Sequence, residues 1–289
     1  MKIKNHRFPE YWYQKSADVG RRIESPKLIV MHYTAGASVE SCRDYMLLSP
    51  TEKQRRIGAR KKIYSSAHLL VGRDGTAFQI VPFNIKARHA GVSSWKGLRS
   101  LNQCSIGIEI ANYGWLDQQA DGCYSRSGET PIFQTDEVYI GKMPGSDEIK
   151  GWQCYPEVQL LQVESLTSSL LAYYPSIIDI VGHQDISPGR KFDPGPAFPM
   201  ARFKRLMEKN RSRADEEEDT ELFPLYQTTE RLNIRGGPGV GFDKLKASPL
   251  EKNTQLMELS QLGDWSLVRL VKNEKEEGWV FNLYLSPLR

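Results

Sequence analysis

The stretch "VGHQDISPGRKFDPGPAFPM" (181–200) sets His183, Asp185, Lys191 and Asp193 among glycines and prolines. Two more titratable groups lie in apolar runs elsewhere: His32 in "KLIVMHYT" (27–34) and Glu109 in "CSIGIEIANYG" (104–114). Two imidazoles and a carboxylate are ligand types of a hydrolytic zinc site, where three side chains hold the ion and a fourth position stays open for water. His32, His183 and Asp193 are therefore candidate ligands. A carboxylate in mid-strand, as at Glu109, is costly to bury unless something pairs with it. A histidine at a strand end is more often a hydrogen-bonded structural residue, so spacing alone leaves both readings of His32 and His183 open.

Such a site needs elements that bring distant segments together. The runs 27–34, 104–114 and 176–183 are apolar enough for central strands covered on both faces. In the second, Ile106, Ile108 and Ile110 fall on one face and Gly107, Glu109 and Ala111 on the other. "AHLLVGRDGTAFQIVP" (67–82) reads as a hairpin about an Asp-Gly turn. Helices are expected after Ser38 as N-cap, with Pro50 closing that segment, from Pro156 to Pro175, and around Phe203, Leu206 and Met207. Strands mixed with helices indicate one α/β domain over 1–209. In open α/β sheets ligands bind in the crevice beyond the strand ends, where His32 and His183 would meet. The Pro/Gly-rich loop must then turn sharply to return Asp193 to His183, and its stiffness lowers the entropy lost on assembling the ligands.

The remainder of the chain differs in character. "NRSRADEEEDTE" (210–221) reads as an exposed acidic linker. Residues 222–289 hold short β-like runs, such as "DWSLVRLV" and "GWVFNLYL", between turn signals, the pattern of a small all-β barrel. The segment from Gly114 to Gly151 is long for a connection and reads as a substrate-side insertion.

Composition narrows the class. Among 289 residues, 39% are hydrophobic and 26% charged, so a folded core is expected and wholesale disorder excluded. No apolar run reaches the roughly 18 residues of a membrane span. The start has no apolar signal region, so synthesis in the cytoplasm without a signal peptide is expected. The four cysteines form no CxxC pair and read as half-buried free thiols. Residues 1–213 carry 30 Lys and Arg against 21 Asp and Glu, a balance that favours anionic surroundings. Its densest cluster, "EKQRRIGARKK" (52–62), reads as a solvated loop; it lacks interleaved aromatics and matches no nucleic-acid motif, so no nucleic-acid partner is expected.

Five separated motifs, "MHYTAG", "SSAHLLVGRDG", "HAGVSSW", "IGIEIAN" and "GHQDISPGRKFDPGPAF", taken in order, resemble the zinc-dependent N-acetylmuramoyl-L-alanine amidases of the type 2, peptidoglycan-recognition-protein-like family. The resemblance covers about residues 25–205. It implies a mixed β-sheet packed between helices, zinc held by His32, His183 and Asp193, Glu109 as catalytic acid/base, and Lys191 stabilising the oxyanion. It also implies substrate contacts at His89, Trp95 and Asn112 along the cleft. Asp185 could orient His183 or brace the loop; His68 reads as a packing or hydrogen-bonding residue and His6 as inert. The tail is similar to bacterial SH3 domains, which implies docking onto peptidoglycan. The implied substrate is peptidoglycan or muropeptides, cleaved between N-acetylmuramic acid and L-alanine, with a lytic role favoured over recycling. A zinc peptidase acting within the stem peptide and a non-catalytic peptidoglycan receptor are the alternatives.

Overall fold

The computed structural model describes the chain apart from residues 37, 127–128, 209, 211–223 and 289, and apart from the side chains of 129–130 and 274–275. The acidic link therefore lies, save Asn210, outside the described residues. The chain divides into two compact units, Met1–Arg211 and Ser212–Arg289.

In the first unit the strands are β1 (Trp12–Tyr13), β2 (Leu28–Tyr33), β3 (Leu69–Val71), β4 (Ala77–Gln79), the small hairpin β5 (Ser94–Trp95) and β6 (Leu98–Arg99), and β7 (Ser105–Ile110). The 114–151 segment adds β8 (Trp115–Gln118), β9 (Tyr124–Arg126), β10 (Glu129–Phe133), β11 (Val138–Lys142) and β12 (Ile149–Gln153), followed by β13 (Asp179–Gly182). The helices are α1 (Val39–Leu47), α2 (Pro50–Arg56), α3 (Glu157–Tyr173) and the short α4 (His183–Ile186), with residues 200–208 also helical.

Six strands form a mixed central sheet in the order β1-β4-β3-β7-β2-β13. Side chains alternate across it. Ile29, Met31, Ile106, Ile108 and Ile110 pack on one face with Leu160, Val163, Leu166 and Leu170 of α3. Leu28, Val30 and Val181 face the opposite side with Ala90, Leu101 and Ile186. The alternation expected for 104–114 thus holds, and it turns Glu109 away from the α3 core. The 67–82 hairpin is present as β3 and β4, closed by the Gly72 N–H donating to the Thr76 carbonyl at 2.7 Å. The 114–151 segment folds as its own five-stranded sheet, β10-β9-β8-β12-β11.

The second unit has β14 (Leu225–Thr228), β15 (Gln255–Leu262), β16 (Trp265–Leu270), β17 (Asn273–Phe281) and β18 (Leu285–Pro287). These form one antiparallel sheet, β17-β16-β15-β14-β18, over a core of Leu232, Ile234, Leu250, Leu256, Val268 and Val280.

The basic cluster differs from expectation. Pro50 does not end a helix; it opens α2 at the first helical position, after a capping box in which Ser49 and Glu52 satisfy each other's backbone N–H groups. Lys53 is fully buried, its ammonium donating to Asp18 Oδ2 at 3.0 Å and the Ser65 carbonyl at 2.6 Å. Burial lowers the Lys53 pKa while Asp18 pulls it back up. Without Lys53, buried Asp18 keeps only Arg88, at 3.0 Å, as a cationic partner, so Lys53→Ala is expected to destabilise the first unit by about 1–3 kcal/mol in chemical denaturation.

Candidate metal centre

Parallel register brings the predicted residues together. On β2 and β7, His32 stands beside Glu109. On β13 and β2, Gly182 stands beside Met31, so His183 emerges where the sheet ends next to His32. Asp193 then returns through the Pro/Gly loop. Its carbonyl accepts the Gln184 N–H at 2.8 Å, the Gln184 side chain accepts the Gly195 N–H at 3.0 Å, and the Pro194 carbonyl accepts the Tyr155 hydroxyl at 2.8 Å. Gly182 is required by this return, since a Cβ there would sit 2.7 Å from Pro194 Cδ.

Three atoms converge. His32 Nδ1 lies 3.0 Å from His183 Nδ1 and 2.9 Å from Asp193 Oδ2, and His183 Nδ1 lies 3.0 Å from the same oxygen. All three side chains are buried, and they are the one such group among the described residues able to share an ion. The donor set can be tested for fit. His183 Nε2 lies 3.2 Å from the Ala90 carbonyl, which only accepts, so that nitrogen donates and Nδ1 is the one turned to His32 and Asp193. Tetrahedral zinc with bonds near 2.0–2.1 Å needs ligand atoms about 3.3 Å apart, close to the spacing found. Burial first, then His183, pushes the His32 imidazole down to about 4 against the pull of Asp193, so it is neutral at neutral pH. Two imidazoles and a carboxylate fit a zinc-like divalent cation.

Glu109 is 8% exposed, and its Oε2 has no hydrogen-bond partner. Burial, then the nearby Asp193 charge, raises its carboxyl well above the usual range, with Lys191 opposing. Glu109 and Lys191 both line a cavity of about 1000 Å³ that also reaches His32, His183 and Asp193.

Of the three expected substrate contacts, His89 lies on the cavity wall and Trp95 and Asn112 do not. His89 touches the cavity but is buried, with Nδ1 2.9 Å from His32 Nε2 and Nε2 3.2 Å from Ser105 Oγ, so neither nitrogen is left for a substrate. Trp95 is outside the cavity lining and donates to Asp179 Oδ2 at 3.0 Å. Asn112 is 1% exposed and braces a turn, donating to the Gln153 carbonyl and accepting the Gly114 N–H. Asp185 braces its loop by accepting the Gly182 N–H at 2.8 Å. His68 accepts the Gly107 N–H and donates to the Ile85 carbonyl, the structural role expected of it. His6 stacks on Tyr174 and bonds its hydroxyl. Cavity walls that sequence reasoning missed include Tyr33, Tyr45, Tyr64 and Arg88, with Trp115 and Arg126 from the 114–151 sheet. Only the last two had a signal, a Trp and an Arg within a segment read as substrate-side.

Comparison with known proteins adds an independent line. The Escherichia coli (strain K12) 1,6-anhydro-N-acetylmuramyl-L-alanine amidase AmpD is 36% identical over 145 residues, covering 50% of this chain and 59% of that protein. The N-acetylmuramoyl-L-alanine amidase AmiD of the same organism is 30% identical over 181 residues, 60% of this chain and 50% of that protein. The chain therefore spans little more than half the length of the curated relatives it matches. A crystal structure of a selenomethionine AmpD derivative is similar at a TM-score of 0.49 and 28% identity, covering 71% of this chain and 99% of that one. Residues 22–196, which hold every ligand candidate, match the Amidase_2 family, described as N-acetylmuramoyl-L-alanine amidase, and the chain belongs to that family.

Proposed function

We propose that this chain hydrolyses the amide between the lactyl group of N-acetylmuramic acid and the L-alanine of the peptidoglycan stem peptide, with zinc held by His32, His183 and Asp193. The observation that carries this reading is the buried three-donor group beside an unpartnered buried carboxylate, both opening on one cavity, in a chain of this family. Zinc at that position supplies a Lewis acid that polarises the amide carbonyl and acidifies water. Glu109, its carboxyl pKa raised by burial, takes the proton of the attacking water and hands it to the departing alanine amine. Lys191 presents positive charge to the tetrahedral oxyanion, a contribution whose loss typically costs about 10²–10³ in rate. Arg88 and Arg126 line the same cavity and suit the carboxylates of a stem peptide.

The substrate class follows from the family and from the names of the relatives, one of which acts on 1,6-anhydro-N-acetylmuramyl-L-alanine. We assign residues 222–289 an SH3-like fold that docks the enzyme onto polymeric wall. A second compact unit outside the family match supports this, and it favours a lytic role over recycling. No helix among the described residues is long and apolar enough to cross a membrane.

Four measurements check the reading. Dialysed chain is expected to retain one zinc ion, by atomic absorption, and Asp193→Ala to lose it. Glu109→Gln is expected to keep the metal while turnover falls by about 10²–10⁴. Mass spectrometry of digested muropeptides should show stem peptides with a free alanine amine. Cuts inside the stem would favour the peptidase alternative, and binding without cleavage the receptor. Faster attack on intact sacculi than on soluble anhydro-muropeptides is the result expected of a wall-docking second unit.

A further inference from the structure

We propose that Ser105, acting through His89, sets the tautomer of His32 so that a lone pair and not a proton faces Asp193 and His183; this rests on the reading of those three residues as a cation site. The argument begins at a hydroxyl. Ser105 Oγ has one proton and is 2.6 Å from the Leu101 carbonyl, which can only accept. That proton is committed, so toward His89 Nε2, 3.2 Å away, Ser105 Oγ accepts. His89 Nε2 therefore carries the ring proton, and Nδ1 of the same neutral ring is an acceptor. His32 Nε2, 2.9 Å from that Nδ1, must donate to it. The His32 Nδ1 is then bare, on the side where Asp193 and His183 stand.

The opposite polarity would move the Ser105 proton from a 2.6 Å partner to a 3.2 Å one. It would also place the His32 proton on Nδ1, among the three donors, where it blocks the cation. Two further features keep the relay in place. Gly107 on β7 leaves room for the His89 ring, because a Cβ there would collide with its Cγ. Asn102 Oδ1 accepts the N–H groups of both His89 and Ala90, at 3.0 and 2.8 Å. The same clamp thus aims the His89 ring at His32 and the Ala90 carbonyl at His183. His89 and Ser105 are positioning residues: they act on His32, not on substrate.

The test uses zinc-loaded full-length chain with ¹⁵N-labelled histidine, whose long-range ¹H–¹⁵N correlations distinguish the ring tautomers. His89 and His32 are each expected to carry the proton on Nε2. This measurement needs no variant to fold, and a His89 proton on Nδ1 overturns the proposal. Ser105→Ala is expected to remove the His89 preference and weaken zinc binding about 10–100-fold in a chelator competition; an unchanged Kd in a folded variant also overturns it. The two readings fail separately. Zinc bound with these tautomers but no amide cleavage sinks the amidase reading and leaves the relay standing. Cleavage with His89 protonated on Nδ1 does the reverse.

Discussion

Three electron-pair donors, Nδ1 of His32, Nδ1 of His183 and Oδ2 of Asp193, are held within 3.0 Å of one another in a buried pocket. Without a positive charge among them they repel, and each buried donor left unpaired costs about 1–3 kcal/mol. The surrounding structure must therefore be stiff enough to keep them from parting. Two of the three donors come from the sheet: His32 lies within β2, and His183 follows directly on β13, its neighbour in parallel register. The third is on a loop, but one whose backbone is fastened at Asp193 and at the two residues after it by Gln184 and by Tyr155. Sites on regular elements hold geometry more tightly than sites on loops, and this loop is fastened as though it were one.

The same sheet explains why Glu109 can stay buried. Period-two alternation sends Ile106, Ile108 and Ile110 into the core against α3, which forces Glu109 to the face where His32 stands. Buried there without a hydrogen bond to Oε2, the carboxylate is a stronger base than an exposed one, which suits it to take a proton from water and keep it until the amine departs. Its rise is tempered by Lys191, so one residue both moderates the acid and lends charge to the cavity.

Much of this is legible in the sequence. Apolar runs that end abruptly in a polar residue located His32 and His183, and the isoleucine alternation placed Glu109. The Pro/Gly loop announced a rigid return to Asp193. Strand order was not legible, because periodicity says which face a residue takes and nothing about which strand lies alongside. The supporting contacts of His89, a residue on the cavity wall, are illegible for that reason: its partners His32 and Ser105 are on β2 and β7, and only their adjacency reveals them. The 52–62 cluster is a different failure. Ser49 and Glu52 at capping-box spacing, with Pro50 between them, signalled a helix start that charge density obscured. The burial of Lys53 had no local signal, since Asp18 is 35 residues away.

Charge is layered within the cavity. The acids, Glu109 and Asp193, are buried beside the imidazoles, while Arg88, Arg126, Arg190 and Lys191 line the same space. Several of these cations are anchored: Arg190 donates to the Ala90 and Val92 carbonyls, Arg88 pairs with buried Asp18 at 3.0 Å, and Arg126 donates to the Tyr113 carbonyl. Trp115 contacts two positive groups, with the Arg126 guanidinium 5.0 Å and the Lys150 ammonium 5.4 Å from its ring, contacts that draw on the negative face of the indole. A wall held by such internal contacts does not need an occupant to take its shape, which is the usual condition of a binding site. The buried acids favour a cation at the centre, and the anchored cations favour an anionic partner around it. One cavity can serve both because the two signs differ in exposure: Glu109 and Asp193 are buried, while Arg88, Arg126 and Lys191 are half-buried and Arg190 is exposed.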